Sequence, residues 1–281
     1  MSDPAKLLDE RMVSWPGGAR CAVMLTFDFD AETLWLARDP ENARRPGVLS
    51  LGTYGALRGV PAILRLLAEY GVPATFFTPG WTIEKYPDRI HAILEGGHEI
   101  AHHGYLHERV DPDKPDAERE SILRGLESFD KVIGQRPVGY RSPAGETTPT
   151  LIGLLHEHGI LYDSSLMADV VPYRHRLDDG TPGPVELPWH WGCDDAPYMM
   201  FALQAWRPQF TNQQVFENWR DEFDTIYEWG GLFNLVMHPQ FIGRPMRLPL
   251  LRRIIEHIRS KPGVWFATGR TVAAEWAARN E

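Results

Sequence analysis

The chain alternates between short apolar runs and stretches in which apolar positions recur every three or four residues. The first run, about 21–28, reads as a buried strand. Further strands are predicted at 74–78, 98–102, 138–141, 160–162, 185–188, 232–237 and 264–267. Helical spacing lies between them: at 60–67, stopped by Gly71 and Pro73; at 87–95, stopped by Gly96 and Gly97; and at 149–158, 212–229 and 248–259. The best-marked helix is 116–133, where Ile122, Leu126, Phe129 and Ile133 share one face and Gly134 follows. Two stretches break the rhythm. Residues 38–59 are polar and rich in Gly and Pro, and read as a long loop insertion that would serve as a lid or substrate loop. Residues 164–210 are irregular apart from the strand at 185–188.

No linker, low-complexity segment or solenoid-period repeat divides the chain, so a single domain over 1–281 is expected. Unbroken β–α alternation predicts an α/β fold with mostly parallel strands wrapped by helices. About seven strand–helix units suggest a barrel-like closure, which would put catalytic groups at the C-terminal ends of strands.

Composition excludes more than it identifies. A formal net charge of −9 without a long Lys/Arg cluster argues against nucleic acid and anionic membranes as partners. No run approaches the roughly 20 apolar residues of a membrane span, and the opening MSDPAKLLDERMVSWPGG lacks a signal-type core, so a cytoplasmic protein is expected. Cys21 and Cys193 are the only cysteines and form no C-x-x-C pair, which rules out a zinc knuckle or dithiol redox motif and fits a reducing compartment.

The reactive side chains fall at predicted strand ends. Asp28 and Asp30 close the first strand, and side-chain alternation points both to one face, with Phe27 and Phe29 on the other. Two buried carboxylates side by side call for a cation or proton between them; the same pair also fits a solvated strand end. His103 and His107 follow the strand at 98–102 at i, i+4 spacing, which on a helical turn places both imidazoles on one face. Two neutral imidazoles and one carboxylate make a three-ligand metal site with open positions. His102, the last strand residue, points elsewhere and is left out of the ligand set. Arg141 ends the fourth strand and His238 a later one. Singly, each has an ordinary explanation as a surface or core imidazole or a structural ion pair; their joint placement at strand ends makes them a constellation.

These residues together resemble the NodB-type polysaccharide deacetylase superfamily, carbohydrate esterase family 4. The motif TFDDG appears as Thr26-Phe27-Asp28-Phe29-Asp30, with one residue inserted between the carboxylates. H-[ST]-x-x-H appears as His103-Gly104-Tyr105-Leu106-His107, R-x-P-[YW]-G as Arg141-Ser142-Pro143-Ala144-Gly145, and the late strand-end His as Val236-Met237-His238-Pro239. The motifs arrive in the family's order over residues 26–239. The spaced carboxylates, the H-G-Y-x-H-E form and the segment from Pro188 to Pro197 resemble a branch holding leaderless peptidoglycan deacetylases, allantoinase-like enzymes and cyclic imide hydrolases.

The resemblance implies a distorted (β/α)7 barrel, a divalent metal, usually zinc, and hydrolysis of a non-peptide C–N bond. It implies Asp30, His103 and His107 as metal ligands, Asp28 as general base, Arg141 as the group holding Asp28 ionised, a backbone N–H near Ala144 for the oxyanion and His238 as general acid. His238 needs a carboxylate partner, for which Asp194 or Asp195 is the candidate, Asp195 being carried forward. The expected substrate is an N-acetylated sugar or a small amide; insertions walling in the site would favour a cyclic imide or ureide. Trp35, Tyr54, Trp189, Trp191, Tyr198 and Phe201 would stack on a ring or sugar face, or else sit in the core, and Met199-Met200-Phe201 suggests a contact between copies of a homo-oligomer. Two other classes compete. A non-haem iron oxygenase shares the two-His, one-carboxylate set, but the α/β alternation and the second Asp speak against it. A catalytically silent sugar-binding protein predicts loss of the base or acid, yet Asp28, Arg141 and His238 are all present.

Overall fold

The computed structural model describes residues 13–201 and 209–280. Residues 1–12 of the opening segment read for a leader and residues 202–208 of the 164–210 insertion therefore lie outside the described residues. Nine strands form one sheet: β1 (Cys21–Asp28), β2 (Thr75–Thr78), β3 (Glu99–His102), β4 (Gly139–Tyr140), β5 (Tyr162–Asp163), β6 (Tyr173–Arg176), β7 (Pro182–Glu186), β8 (Leu232–Met237) and β9 (Val264–Phe266). Seven of them run parallel in the order β7-β5-β4-β3-β2-β1-β8, curling into a partly open barrel. β6 adds antiparallel to β7, and β9 pairs with the N-terminal half of β1.

Burial explains the strands. All eight residues of β1 and all six of β8 are buried, as expected of parallel strands covered on both faces. No ladder joins β8 to β7. The gap is closed by an isolated bridge between Asp194 and Val236, by Asp195 N–H donating to the Val236 carbonyl at 3.1 Å, and by Asn234 Nδ2 donating to the carbonyls of Leu187 and Pro188 at 3.1 and 3.3 Å. Helices 60–70, 87–95, 115–132, 212–229 and 248–259 pack outside, each turning an apolar face inward.

The structure corrects the reading of 38–59 as a loop. It forms a 3-10 turn (Pro40–Arg44), an α-helix (Pro46–Tyr54) and a π-turn (Gly55–Gly59) that runs into the helix Val60–Tyr70. Its glycines are contact points, not helix breakers. A Cβ on Gly52 would sit 2.3 Å from the Ala31 carbonyl oxygen, and one on Gly59 2.2 Å from that of Pro239. The helix thus lies directly on the loops that carry Asp30 and His238. The 164–210 stretch is also more regular than expected, holding the β6–β7 hairpin. β6, Tyr-Arg-His-Arg, is a half-buried edge strand without an apolar face, which is why its pattern is silent. Met199 belongs to the core, Met200 is half-buried and Phe201 is exposed.

Candidate active site

Every residue singled out at a strand end meets at one mouth of the barrel. Phe29 N–H extends the β1–β2 ladder to the Phe77 carbonyl (2.8 Å), and Asp30 follows. The Thr33 and Thr82 hydroxyls both donate to the Asp30 carbonyl, at 2.7 and 2.9 Å. Ala31, next in line, has φ +51. Glu32 is buried and accepts from Thr53, Tyr86 and Lys85, tying this loop to two helices.

His103 and His107 come together, but not on a helical turn. The segment is a loop in which Gly104 has φ +71 and His107 has φ +58. Glu108 holds it, accepting from the backbone N–H groups of Tyr105 (3.1 Å) and Leu106 (2.8 Å) and from the Ser121 hydroxyl (2.6 Å). His102 does face away: its Nε2 donates to the Ile122 carbonyl at 2.9 Å, and its Nδ1 accepts from Gly104 N–H. Among the described residues the three non-glycine residues with positive φ are Ala31, His107 and Ala144, and all lie in the loops of this site. Such conformations cost about 1–3 kcal/mol each and persist only where the surroundings impose them.

The donor atoms of Asp30, His103 and His107 lie within 4.8 Å of one another. His103 Nε2 is 3.6 Å and His107 Nε2 3.9 Å from Asp30 Oδ1. His103 Nδ1–H donates to the Arg141 carbonyl at 2.7 Å, so the Nε2 of the neutral ring presents a lone pair to the carboxylate. Both His103 Nε2 and Asp30 Oδ1 are buried without a hydrogen-bond partner. Burial pushes the Asp30 carboxyl up to about 8, against the pull of His238 and with the Asp28 charge adding to the rise. Burial also holds His103 below the usual imidazole range and His107 well below it, keeping both neutral. Two imidazole nitrogens and a carboxylate converging on one buried point fit a divalent cation.

Asp28 has a different partner. Its Oδ1 accepts from Arg141 Nη1 at 2.8 Å, while its Oδ2 lies 3.8 Å from His103 Nε2. Burial would raise its pKa; Arg141, then His103 and His238, outweigh that and hold it below the usual carboxylate value. Arg141 is 1% exposed and spends every nitrogen. Nε donates to the Ser164 carbonyl, Nη1 also to Thr26 Oγ1, and Nη2 to Ser164 Oγ and Asn234 Oδ1, with Phe77 beneath the guanidinium at 4.0 Å.

His238 follows β8 on the opposite side. Asp195 is its partner: Nδ1 meets Asp195 Oδ1 at 2.7 Å and the His238 backbone N–H donates to Oδ2 at 2.9 Å, while Asp194 Oδ1 stands 3.8 Å away. Burial disfavours the imidazolium, but Asp195, Asp194 and Asp30 together raise its pKa well above the ordinary value. Nε2 faces the site, 3.7 Å from Asp30 Oδ2. Sequence reasoning did not single out Ser164 or Asn234 as site residues, and assigned no role to Thr26, Glu32 and Glu108 although they lie within the motifs. A signal existed for Thr26 and Asn234, each a lone polar residue inside an apolar strand.

Known proteins similar to this chain identify its family. The polysaccharide deacetylase family model matches residues 52–162. A peptidoglycan deacetylase of Helicobacter pylori is 31% identical over 90% of this chain and 95% of its own length. A Mycobacterium smegmatis protein of known crystal structure, provisionally named a polysaccharide deacetylase, superposes with a TM-score of 0.91 at 41% identity, over 95% of this chain and 94% of its own. The PuuE allantoinase superposes with a TM-score of 0.82 at 27% identity, over 96% of this chain and 94% of its own. Among the described residues no helix is long and apolar enough to cross a membrane. With barrel, carboxylate pair, His pair and late His all in place, the chain belongs to the polysaccharide deacetylase family.

Proposed function

We propose that the protein is a divalent-metal-dependent amide hydrolase that removes acyl groups from nitrogen, with zinc as the natural candidate metal. The observation that carries this reading is the facing pair of unpartnered buried atoms, Asp30 Oδ1 and His103 Nε2, beside His107 Nε2. A cation held by these three would polarise the substrate carbonyl and lower the pKa of water, to about 7 in good cases.

The chain's own groups divide the proton work. Asp28, ionised and fixed by Arg141, accepts a proton from the attacking water. The Ala144 N–H, on an exposed turn beyond Arg141, receives the developing oxyanion. When the C–N bond breaks, its electron pair stays with nitrogen. His238 Nε2–H supplies the proton that nitrogen needs, while Asp195 holds Nδ1 and stabilises the cation. Water and amide thus become a carboxylic acid and an amine, the base and acid having exchanged protonation states.

Two substrate classes fit this machinery. The peptidoglycan deacetylase relative, matched along nearly its whole length, favours an N-acetylated sugar. The likeness to an allantoinase favours a cyclic imide or ureide. A panel of N-acetylglucosamine oligomers, succinimide, hydantoin, dihydrouracil and allantoin, run with zinc-loaded and chelated protein, separates them. Hydrolysis of none by zinc-loaded protein refutes the proposal, and rates indifferent to chelation refute the metal.

A further inference from the structure

Strand β5 ends at Asp163, and Ser164 and Ser165 follow; all three are fully buried. Asp163 Oδ1 accepts from Ser164 N–H at 2.8 Å and from the Ser165 hydroxyl at 2.6 Å. Ser165 has one hydroxyl proton and gives it to Asp163, so its lone pairs are left to accept Ser142 N–H, at 2.9 Å. The chain of donors therefore runs one way, from Ser142 through Ser165 to Asp163.

Ser142 opens the turn that follows Arg141. Its carbonyl accepts Gly145 N–H at 3.0 Å, with Pro143 and Ala144 at the corners. Ala144 has φ +57 and ψ +16. Proline followed by a left-handed residue is the pattern of a type II turn, which ordinarily takes Gly or Asn at the second corner. That turn differs from type I by a flip of its central peptide, here the Pro143–Ala144 bond, so the φ of Ala144 decides which way its N–H faces. Left-handed alanine costs about 1–2 kcal/mol, and the turn keeps it only where its surroundings impose it. Ser165 supplies a clamp at the turn's first residue, its hydroxyl fixing the Ser142 N–H.

We propose that Asp163 and Ser165 are positioning residues that set the direction of the Ala144 N–H. The inference rests on the reading that this N–H receives the substrate's carbonyl oxygen. The route from Ser165 to the site is the turn, through Ser142, whereas Asp163 also reaches Arg141 through Ser164 N–H. Ser164, between them, holds Arg141 through its carbonyl and hydroxyl, so one tripeptide braces both Arg141 and Ser142. Burial, with Glu186 adding to it, pushes the Asp163 carboxyl well above the usual range, and the acceptor oxygen that Ser165 needs is present in either protonation state.

The test compares Ser165→Ala, Asp163→Ala and Asp163→Asn as zinc-loaded proteins, on the amide that the wild type hydrolyses best, with a crystal structure of Ser165→Ala. Losing an oxyanion donor outright costs about 10²–10³ in kcat; a misdirected one is expected to cost about 10–100-fold. Ser165→Ala and Asp163→Ala should show that loss with KM within about threefold and zinc content unchanged. Asp163→Asn, which keeps the acceptor oxygen, should stay within about threefold of wild type. Ala144 should leave positive φ in the crystal structure. Wild-type kcat in Ser165→Ala, loss of zinc along with kcat, or an unchanged Ala144 conformation would each overturn the proposal; if Asp163→Ala does not fold, Ser165→Ala decides alone. A wild type that hydrolyses no amide refutes the functional reading instead, and the crystallographic comparison still decides the positioning.

Discussion

Replacing Arg141 by methionine removes a guanidinium that is 1% exposed and makes five hydrogen bonds, at 2.8 Å to Asp28, 2.9 and 3.0 Å to Ser164, 3.0 Å to Thr26 and 3.4 Å to Asn234. The methionine fills part of the volume but leaves Asp28 as an uncompensated buried carboxylate. Breaking a buried pair in this way costs about 3–5 kcal/mol near neutral pH. The pH dependence is the sharper test. In the wild type the Asp28 pKa lies below its unfolded value, so its contribution to stability is present above the unfolded pKa and fades as pH falls through the folded one. In Arg141→Met, burial prevails and the folded pKa lies above the unfolded one. The contribution then reverses: it is present below the unfolded pKa and lost as pH rises through the folded value. The stability difference between the two proteins should therefore be small near pH 3–4 and widen toward pH 7. Urea unfolding of both metal-free proteins between pH 4 and 7.5, with m-values checked for two-state behaviour, measures it. A difference that is flat across that range, or below about 1 kcal/mol at pH 7, would refute the assignment of Arg141 as the group keeping Asp28 ionised.

Asp28→Asn should keep zinc and lose about 10²–10⁴-fold in kcat, whereas Asp30→Ala and His107→Ala should lose zinc as well; metal analysis after gel filtration, with steady-state rates, separates the roles. His238→Ala should fall by a similar factor, and Asp195→Asn should slow the enzyme far more than Asp194→Asn, because only Asp195 lies within 2.7 Å of Nδ1. Gly59→Ala should lose stability by about 1–3 kcal/mol or more, since its methyl would meet the Pro239 carbonyl. Gly153→Ala, in a helix with nothing within 4 Å, should gain up to about 1 kcal/mol. Urea midpoints of that pair test whether the glycines over the catalytic loops are contact points or merely flexible.

What the sequence discloses here follows from what each element needs. β1 and β8 are apolar on both faces because helices cover both, so their limits are legible to the residue. The seven-strand parallel run was equally visible in the alternation. The helix over 46–54 was not: Gly52 and Gly59 look like breakers in one dimension and become necessities only when Ala31 and Pro239 lie against them. His103 and His107 do meet, but not by the helical geometry that their i, i+4 spacing suggested, since Glu108 and two left-handed residues fold the loop that joins them. Asp28, Asp30, Arg141 and His238 could be found because strand ends are a place one can read. The groups that aim them, Ser164, Asn234 and Thr82, are ordinary polar residues whose partners lie far away in sequence.

The barrel's unlaced side has a consequence for the acid. His238 stands on β8, and Asp195 belongs to the segment that crosses from β7; the bond between them spans the one gap that no ladder closes. The residue whose carboxylate holds His238 Nδ1 thus also helps shut the wall, through its backbone N–H to the Val236 carbonyl. A barrel opened along this line would take Asp195 away from His238 and remove the largest of the charges that raise its pKa. On the proposed mechanism, opening this wall would disarm the proton donor without disturbing Asp30, His103 or His107.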